Sequence, residues 1–277
     1  MSERMQLPAA RRLQVQRRLT AEGAISVEAL SKMLGASVAT IRRDLSLLET
    51  EGLIRRTHGG AVIEAPRGAD QEFALREQVD PEAKAAIARA ALRFVEPDMT
   101  LLMNDGSTLL AVAREIVAMR MRLTVVTPGV NVATLLSESP CLSVYLLGGN
   151  LRHRTLGTSG AFAEHMLAAF NADVALIAAE GFTLREGLTF SYETDATLAR
   201  LMHERAAKTV VLATARKLRQ RDRITAIPAS EIDVLVTECR DREVLDSFAG
   251  AGLEILDANE TPGEDRAVAD GSIRAAE

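Results

Sequence analysis

Tryptophan is absent from this chain of 277 residues, and aromatic residues make up only 3% of it. The hydrophobic core must therefore be built mainly from aliphatic side chains, which an overall hydrophobic content of 47% can supply. Cysteine is also scarce, because only Cys141 and Cys239 occur and they lie far apart without the spacing of a metal site. This scarcity argues against a disulfide-stabilised scaffold and favours two reduced thiols in an intracellular protein.

Long apolar runs are missing as well. No segment approaches the length of a membrane span, and residues 1–12, MSERMQLPAARR, contain no apolar stretch of the kind found in signal peptides. We therefore expect a soluble cytoplasmic protein without a membrane partner. At this length the chain can form one large domain or two of ordinary size.

Common motifs of catalysis and cofactor binding are absent too. The sequence contains no P-loop, no dinucleotide-binding fingerprint and no nucleophile elbow. Its four histidines do not have the spacing of metal ligands: His58, His153, His165 and His203. We therefore expect no metal, no cofactor and no catalytic residues, and we interpret the chain as a binding protein rather than an enzyme.

Charge is distributed unevenly along the chain. Residues 1–60 contain ten basic and six acidic residues, whereas the remaining residues contain 23 basic and 32 acidic ones, and the overall formal charge is −5. A basic segment attached to an acidic body predicts that only the first segment meets a polyanion.

The first fifty residues have the pattern of three short helices. A basic helix is predicted over 8–21, and a second helix begins after Ser26, whose hydroxyl can cap it. Gly35 permits the positive φ of a tight turn. A third helix is predicted over 37–50, with Ser37 as its cap.

Two short strands around a pair of glycines follow the third helix. The segment LIRRTHGGAVIE, residues 53–64, has Gly59 and Gly60 at its centre, and paired glycines allow the primed turns that tight hairpins prefer. Three helices followed by a hairpin is the order of a winged helix-turn-helix, a DNA-binding domain.

Helical geometry separates the charged residues of the third helix. At about 100° per residue, four apolar residues fall on one face: Val38, Ile41, Leu45 and Leu48. Arg43 lies almost opposite this face, whereas Arg42 and Asp44 lie roughly 80° to either side of it. The two arginines are therefore not equivalent.

The third helix can act as a recognition helix, whose outer face and first turn meet base edges while its flanks meet phosphates. Arg43 is then the candidate base-reading residue, and Arg42 is better placed for phosphate. Asp44 is a poor DNA ligand, and we interpret it as a structural partner of a nearby arginine or a helix cap. Residues of the first turn are further candidates for DNA contacts: Ser37, Ala39 and Thr40. An ordinary solvated face is the alternative interpretation of the arginine pair.

Beyond a segment with the composition of a linker, apolar strands alternate with amphipathic helices. Strands are predicted at 100–103, 123–127, 142–147, 173–179, 209–214 and 234–237, and helices near 81–95, from 108, from 131, near 161–170 and near 195–206. This alternation predicts a mostly parallel α/β sheet with helices on both faces. The predicted organisation is a winged helix-turn-helix over 1–63, a linker over 64–80, an α/β domain over 81–258 and a disordered tail over 259–277.

Residue spacing in the first domain matches a known signature. The signature begins at Arg11, continues to Leu19, and resumes at Ser37 before it closes with TIRRDL at 40–45. The segment RTHGG, residues 56–60, follows at the position of a basic wing. In these residues the chain resembles the DeoR-type family of bacterial transcriptional regulators.

This resemblance implies a repressor that binds double-stranded operator DNA and senses a phosphorylated sugar or related metabolite. Wing residues would track the DNA backbone: Arg55, Arg56, His58 and Gly59. Because a single winged helix covers only one half-site, we expect a dimer or larger homo-oligomer on repeated or palindromic operators.

The resemblance extends to about residue 239 and implies a sensor domain of the ribose-5-phosphate isomerase and CoA-transferase type of α/β fold. The segment NDGST, residues 104–108, lies between the first strand and a helix. There Gly106 lets the backbone approach a ligand, and free amides with the hydroxyls of Ser107 and Thr108 can hold a phosphate. A simple strand-to-helix turn is the alternative. The implied effector site consists of Asn104, Asp105, Gly106, Ser107, Thr108, Gly149, Glu180, Asp195 and Lys217.

Several positions of this domain depart from the family pattern. Asn104, Glu180 and Thr214 each replace an aspartate, Pro128 replaces an asparagine, Thr194 and Asp195 replace a pair of glutamates, and Ala199 replaces a lysine. The changes remove charged groups that would orient sugar hydroxyls, which leaves an altered ligand or a weakened sensor open. Two further alternatives remain: a ligand-independent regulator whose α/β domain only oligomerises, and an isomerase-like enzyme using Glu180, Asp195 and Lys217.

Overall fold

The computed structural model describes residues 11, 12, 14, 15, 18, 19, 24–50, 54–57, 60–62, 73–152 and 155–260. The chain divides into two compact units, Met1–Val79 and Asp80–Glu277. None of the described helices is both long and apolar enough to cross a membrane. The predicted tail lies, from residue 261 onward, outside the described residues.

The first unit is a winged helix-turn-helix, as predicted. The described residues between 11 and 19 are helical and form α1. Five elements follow: β1 (Ala24–Ser26), α2 (Val27–Leu34), α3 (Val38–Thr50), β2 (Arg55–Thr57) and β3 (Gly60–Val62). The strands form an antiparallel sheet in the order β1-β3-β2. β1 was not expected from the sequence, because three residues are too few to show the periodicity of a strand.

The capping residues predicted for α2 and α3 are confirmed. The Ser26 hydroxyl accepts a hydrogen bond of 3.1 Å from the amide of Ala29, and the Ser37 hydroxyl accepts one of 3.1 Å from the amide of Thr40. α2 ends at Gly35, whose φ of 62° is left-handed. These caps satisfy amides that the first turn of a helix otherwise leaves without a partner.

Aliphatic side chains from the helices and the wing form the core of the first unit. Ile41, Leu45 and Leu48 of α3 are buried in it, as predicted from their spacing. The prediction that Val38 also faces this core is wrong, because Val38 is 37% exposed. It is the first residue of α3 and lies at the end of the helix that the core does not cover.

Helix α4 (Phe73–Gln78) lies within the segment predicted as a linker. Its first residue, Phe73, is buried. Part of the range 64–80 is therefore a packed helix, while its residues 64–72 lie outside the described part of the chain.

The second unit contains six α-helices, three short 3-10 helices and twelve strands among its described residues. The helices are α5 (Pro81–Ala91), α6 (Ser107–Met119), α7 (Val130–Leu136), α8 (Ala161–Leu167), α9 (Glu193–Arg205) and α10 (Arg242–Gly250). The strands are β4 (Thr100–Met103), β5 (Leu123–Thr127), β6 (Leu142–Leu146), β7 (Asn150–Arg152), β8 (Gly157–Ser159), β9 (Ala172–Ala178), β10 (Gly181–Thr183), β11 (Gly187–Phe190), β12 (Ala206–Leu212), β13 (Ile224–Ile227), β14 (Val234–Thr237) and β15 (Glu254–Asp257). All the strands and helices predicted from the alternation are present, with ends that differ by a few residues.

Seven strands form one parallel sheet in the order β15-β14-β12-β9-β4-β5-β6. The chain enters this sheet at β4, adds β5 and β6 on one side, and then crosses to β9 and continues to β15 on the other. The winding therefore reverses between β4 and β9. In sheets of this type, ligands bind outside the carboxyl ends of the strands at the point of reversal. The predicted mostly parallel α/β architecture is confirmed.

Two small antiparallel sheets complete the second unit: a β7–β8 pair and a three-stranded sheet in the order β10-β11-β13. The sequence predicted neither of these sheets, and it did not predict α10 or β15. Strands of three or four residues show too little alternation to be told from loops. The β7–β8 and β10–β11 pairs are local hairpins, whereas β13 and β15 pair with strands farther away in the sequence.

Candidate DNA-binding surface and effector site

The first turn of α3 is exposed at its N-terminal end. Ser37 and Ala39 are exposed and Thr40 is half-buried, and the hydroxyls of Ser37 and Thr40 lie 2.8 Å apart in a hydrogen bond. The two hydroxyls and the cap thus stabilise a helix end that remains accessible. Such an end can approach base edges when a helix lies in the major groove.

Three consecutive residues of α3 point in different directions. Arg42 and Arg43 are exposed, whereas Asp44 is 3% exposed. Arg11 donates to Asp44 twice: its Nε lies 2.6 Å from Oδ2 and its Nη2 lies 3.3 Å from Oδ1. This hydrogen bond to Asp44 raises the pKa of Arg11 despite the opposing effect of burial. The interpretation of Asp44 as a structural partner of an arginine is confirmed.

The wing is only partly described. β2 pairs with β3 so that Arg55 lies opposite Val62 and Arg56 opposite Ala61. The side chains of the two arginines, together with all of His58 and Gly59, lie outside the described residues. Their predicted contacts with the DNA backbone stay predictions.

The effector residues predicted near the first strand of the sheet lie at the carboxyl end of β4. Asn104 is buried, and its side chain makes two hydrogen bonds to the backbone of Ala178: Nδ2 donates to the carbonyl over 3.1 Å, and Oδ1 accepts from the amide over 2.8 Å. Asn104 thus joins the ends of β4 and β9 at the point where the winding reverses. These contacts occupy its amide group with structural hydrogen bonds.

The loop after β4 carries the other predicted phosphate ligands. Gly106 has a φ of 133° and directly precedes α6, and Ser107 is buried at the start of that helix while Thr108 is half-buried. The Asp105 carboxylate lies against Gly157 of β8 so closely that a Cβ added at Gly157 would be 2.4 Å from its Oδ2. The absence of a side chain at Gly157 therefore makes room for Asp105.

The remaining predicted effector residues come from other parts of the second unit. Glu180 follows β9, and its Oε2 accepts a hydrogen bond of 2.8 Å from the amide of Ser191. Lys217 is half-buried on a short 3-10 helix that follows β12. Gly149 has a φ of 127° and is exposed just before β7.

Asp195 lies in the first turn of α9 and forms an ion pair with Arg152, the last residue of β7. The Arg152 side chain is 21% exposed and the Asp195 side chain 10% exposed. The guanidinium carbon of Arg152 also lies 4.7 Å from the centre of the Tyr192 ring, which is the distance of a cation–π contact. A strand of a small hairpin is thereby tied to a helix that packs on the large sheet.

Arg152 is the centre of the charged groups in this region. Burial opposes its charged form, but the hydrogen bond to Asp195 and the negative charges of Asp195, Asp105 and Glu180 raise the pKa of Arg152. The structure thus brings three of the predicted effector carboxylates around one arginine that sequence inspection did not select. Its position next to the pair of glycines in LLGGNLR was the available signal, but its partners are distant in sequence. No cluster of metal-binding side chains occurs in the described part of the chain.

Known protein families match both units of the chain. Residues 11–67 match the family model of the DeoR-like helix-turn-helix domain, and residues 79–239 match that of the DeoR C terminal sensor domain. The HTH-type transcriptional regulator GolR of Listeria innocua is 36% identical over 83% of this chain and 91% of its own length. A putative aga operon transcriptional repressor of Escherichia coli O157:H7 is 29% identical over 89% of this chain and 92% of its own.

Similarity to solved structures is more distant. A D-ribose-5-phosphate isomerase in complex with phospho-erythronic acid is 20% identical, with a TM-score of 0.36 over 50% of this chain and 54% of its own. The matches to both domain models and to whole regulators are far stronger than this one. The chain therefore belongs to the DeoR family of transcriptional regulators.

Proposed function

We propose that this protein is a repressor of genes for sugar or polyol catabolism whose binding to operator DNA responds to a phosphorylated metabolite. The observation that supports DNA binding is the arrangement of charges on α3, where Arg42 and Arg43 are exposed while Asp44 is buried against Arg11. An ordinary solvated helix face does not require the acidic residue to be buried away from the two arginines. The names of the relatives, which are regulators and repressors, favour a regulator over an enzyme.

Within this proposal, Arg43 reads base edges together with the exposed first turn of α3, and Arg42 binds a phosphate of the DNA backbone. The first-turn residues assigned to this surface are Ser37, Ala39 and Thr40, and the wing residues are Arg55, Arg56, His58 and Gly59. The cap at Ser37 supports the assignment because it holds the helix end in a shape that can enter the major groove. A single winged helix reads one half-site, so the functional form is a dimer or larger oligomer.

Replacing Arg43 with alanine is expected to weaken binding to the operator by about 1–3 kcal/mol and to relax base preference at one position. Replacing Arg42 with alanine is expected to weaken binding to operator and random DNA alike and to reduce the salt dependence. Both effects are measured by fluorescence anisotropy over a range of salt concentrations. Arg185→Ala, at an exposed arginine of the second unit, is the control and should change neither affinity. Equal losses on operator and random DNA for both α3 variants would contradict the assignment.

The proposed effector site lies at the carboxyl ends of β4 and β9, where the winding of the sheet reverses. The NDGST loop offers the backbone amides at the start of α6 to a phosphate. The carboxylates of Asp105, Glu180 and Asp195 surround the opposite charge of Arg152 and can accept hydrogen bonds from hydroxyl groups. The assigned residues are Asn104, Asp105, Gly106, Ser107, Thr108, Gly149, Glu180, Asp195 and Lys217, with Asn104 contributing through the position of the loop.

Titration of the full chain with a panel of sugar and polyol phosphates, read by thermal shift, tests this site. Stabilisation without turnover, together with a change in operator affinity, is the expected result. Turnover of a phosphosugar would instead identify an enzyme of the isomerase type. No stabilisation by any member of a broad panel would favour a second unit that serves only oligomerisation.

Replacing Gly157 with alanine is expected to weaken binding of the effector by roughly tenfold, in the range of 1–3 kcal/mol for overpacking a tight site. The added Cβ would lie 2.4 Å from Oδ2 and 2.7 Å from Cγ of Asp105, so the carboxylate must rotate away. Effector affinity is measured by isothermal titration calorimetry, and operator affinity without effector should be unchanged. An unaltered effector affinity would show that the Asp105 carboxylate does not face the ligand.

A further inference from the structure

The guanidinium group of Arg152 is only partly used by the protein. Its Nη2 donates to Asp195, but its Nε and Nη1 are buried and have no hydrogen-bond acceptor within the described part of the chain. Arginine has five N–H donors in a fixed planar arrangement, and a buried donor without an acceptor costs about 1–3 kcal/mol. Burying an arginine in this state is unfavourable unless another group supplies the missing acceptors.

The pattern of the unused donors indicates what kind of group is missing. One oxygen of Asp195 accepts from Nη2, the nitrogen that takes part in both pairs of parallel donors of the guanidinium group. The second nitrogen of each pair, Nε in one and Nη1 in the other, has no acceptor within the described part of the chain. An oxyanion such as a phosphate or a carboxylate makes two parallel hydrogen bonds to arginine when it binds Nη2 together with either Nε or Nη1, so it must take Nη2 from Asp195. The ring of Tyr192, 4.7 Å from the guanidinium carbon, holds the group in place without consuming any donor.

We propose that Arg152 binds the anionic group of the effector and that Asp195 occupies this place in the unliganded protein. The proposal rests on the proposed effector site and specifies how that site selects its ligand. Binding is an exchange in which the anion of the ligand replaces the carboxylate of Asp195 on the guanidinium group. The ligand must therefore carry an oxyanion, and this oxyanion contacts a side chain of the β7–β8 hairpin rather than only the backbone of the NDGST loop.

The charges around Arg152 restrict the ligand further. Asp105 and Glu180 act on the charge of Arg152 in addition to Asp195. Carboxylates can accept hydrogen bonds from hydroxyl groups of a ligand, and they repel any anionic group of the ligand that Arg152 does not neutralise.

The exchange also offers a route for the signal. Arg152 belongs to the β7–β8 hairpin and Asp195 to the first turn of α9, so their ion pair connects two elements that are otherwise distant in sequence. Replacing the Asp195 carboxylate by a ligand oxyanion breaks this connection. The contact between Tyr192 and Arg152 remains, so the hairpin is then held less firmly at the start of α9. Such a local change can distinguish two states of a regulator.

Replacing Asp195 with asparagine tests the exchange, because it removes the competing charge while keeping the shape of the side chain. Binding of inorganic phosphate to the full chain, measured by isothermal titration calorimetry, is expected to become about tenfold tighter in Asp195→Asn, which corresponds to roughly 1.4 kcal/mol. Arg152→Gln is expected to weaken phosphate binding strongly, because only the amides of the NDGST loop then remain as phosphate ligands. Arg152→Lys is expected to weaken it, because lysine keeps the charge but not the planar fork.

A matched control is available in the exposed ion pair between Arg122 and Asp98, whose nitrogen and oxygen lie 3.0 Å apart. Asp98→Asn makes the same chemical change beside another arginine and should leave phosphate affinity unaltered. Acetate is titrated in parallel to distinguish a carboxylate ligand from a phosphate. Whichever of the two anions Asp195→Asn binds more tightly is the preferred oxyanion of the site.

A purely structural ion pair predicts the opposite result. If Asp195 only supports the fold, Asp195→Asn lowers thermal stability and leaves phosphate and acetate affinity unchanged or weaker, and this outcome would overturn the proposal. Absence of phosphate and acetate binding in both the natural protein and Asp195→Asn would overturn it as well. Operator affinity is measured on the same samples. If the exchange does not occur but the operator is still bound, only this proposal fails, whereas loss of operator binding in the natural protein would contradict the proposed function.

Discussion

Replacing Asp44 with alanine is expected to destabilise the first unit strongly and to weaken its binding to operator DNA. The Asp44 carboxylate is 3% exposed and accepts two hydrogen bonds from Arg11, which links α3 to α1. Removing one partner of a buried ion pair costs about 3–5 kcal/mol. Since small domains have total stabilities of roughly 5–15 kcal/mol, this single change removes a large part of the stability of the unit.

Hydrogen–deuterium exchange of the full chain measures this effect separately in each unit. Amides of α3 and α2 are expected to lose protection in Asp44→Ala, while amides of the parallel sheet keep theirs. Arg42→Ala, at the exposed position two residues earlier, is the control and should leave the protection of α3 unchanged. Native protection of α3 in Asp44→Ala would show that the ion pair contributes little to stability.

A double replacement tests whether two apolar side chains can take the place of this ion pair. Buried ion pairs can often be exchanged for apolar side chains of similar volume at little or no cost in stability. Arg11→Met combined with Asp44→Leu is therefore expected to restore most of the protection that Asp44→Ala loses. Continued loss of protection in the double variant would mean that the ion pair also specifies how α1 packs on α3.

Replacing Gly149 with alanine is expected to destabilise the second unit by roughly 2–6 kcal/mol, the combined range for a strained backbone and an overpacked site. Gly149 has a φ of 127°, which side chains rarely allow, and an added Cβ would lie 2.4 Å from the carbonyl oxygen of Ser159. Both obstacles involve backbone, so neither can be relieved by rotating a side chain. The variant must separate β7 from β8, which carries Arg152 away from Asp195.

The neighbouring glycine provides the matched control for this prediction. An added Cβ at Gly148 would meet only the sulfur of Met166, at an ordinary contact distance of 3.4 Å. Thermal denaturation of the full chain should therefore show a large drop in melting temperature for Gly149→Ala and almost none for Gly148→Ala. Phosphate binding should be lost in the first variant and retained in the second. Equal melting temperatures would show that the hairpin adapts without cost.

The helices of the first unit could be predicted from local signals. Ser26, Gly35 and Ser37 act on residues within one turn of themselves, so their roles can be recognised without any knowledge of the tertiary structure. The spacing of apolar residues likewise identified the buried side of α3, except at Val38, where the helix extends beyond its core. β1 could not be predicted, because it becomes a strand only by pairing with β3.

The same distinction applies to the proposed effector site. The NDGST loop, Glu180 and Asp195 could be selected from the sequence because they occupy positions of a known sequence pattern. Arg152 was not found, because nothing in its neighbourhood along the chain indicates that Asp195 and Tyr192 lie beside it. A side chain whose function depends on partners from other elements has no local signature.

Local patterns in the sequence were sufficient to predict the helices of the winged unit, the alternation of strands and helices that follows, the family, and the different directions of Arg43 and Asp44. These properties depend on helical periodicity, on caps, and on residues at short spacing, all of which act over one or two turns of chain. Three features became visible only in the folded chain: the arginine that pairs with Asp44, the point where the winding of the sheet reverses, and the position of Arg152 beside Asp195 with two donors unused. These outcomes depend on contacts between distant segments, which form when the chain packs and leave no periodic trace in the sequence.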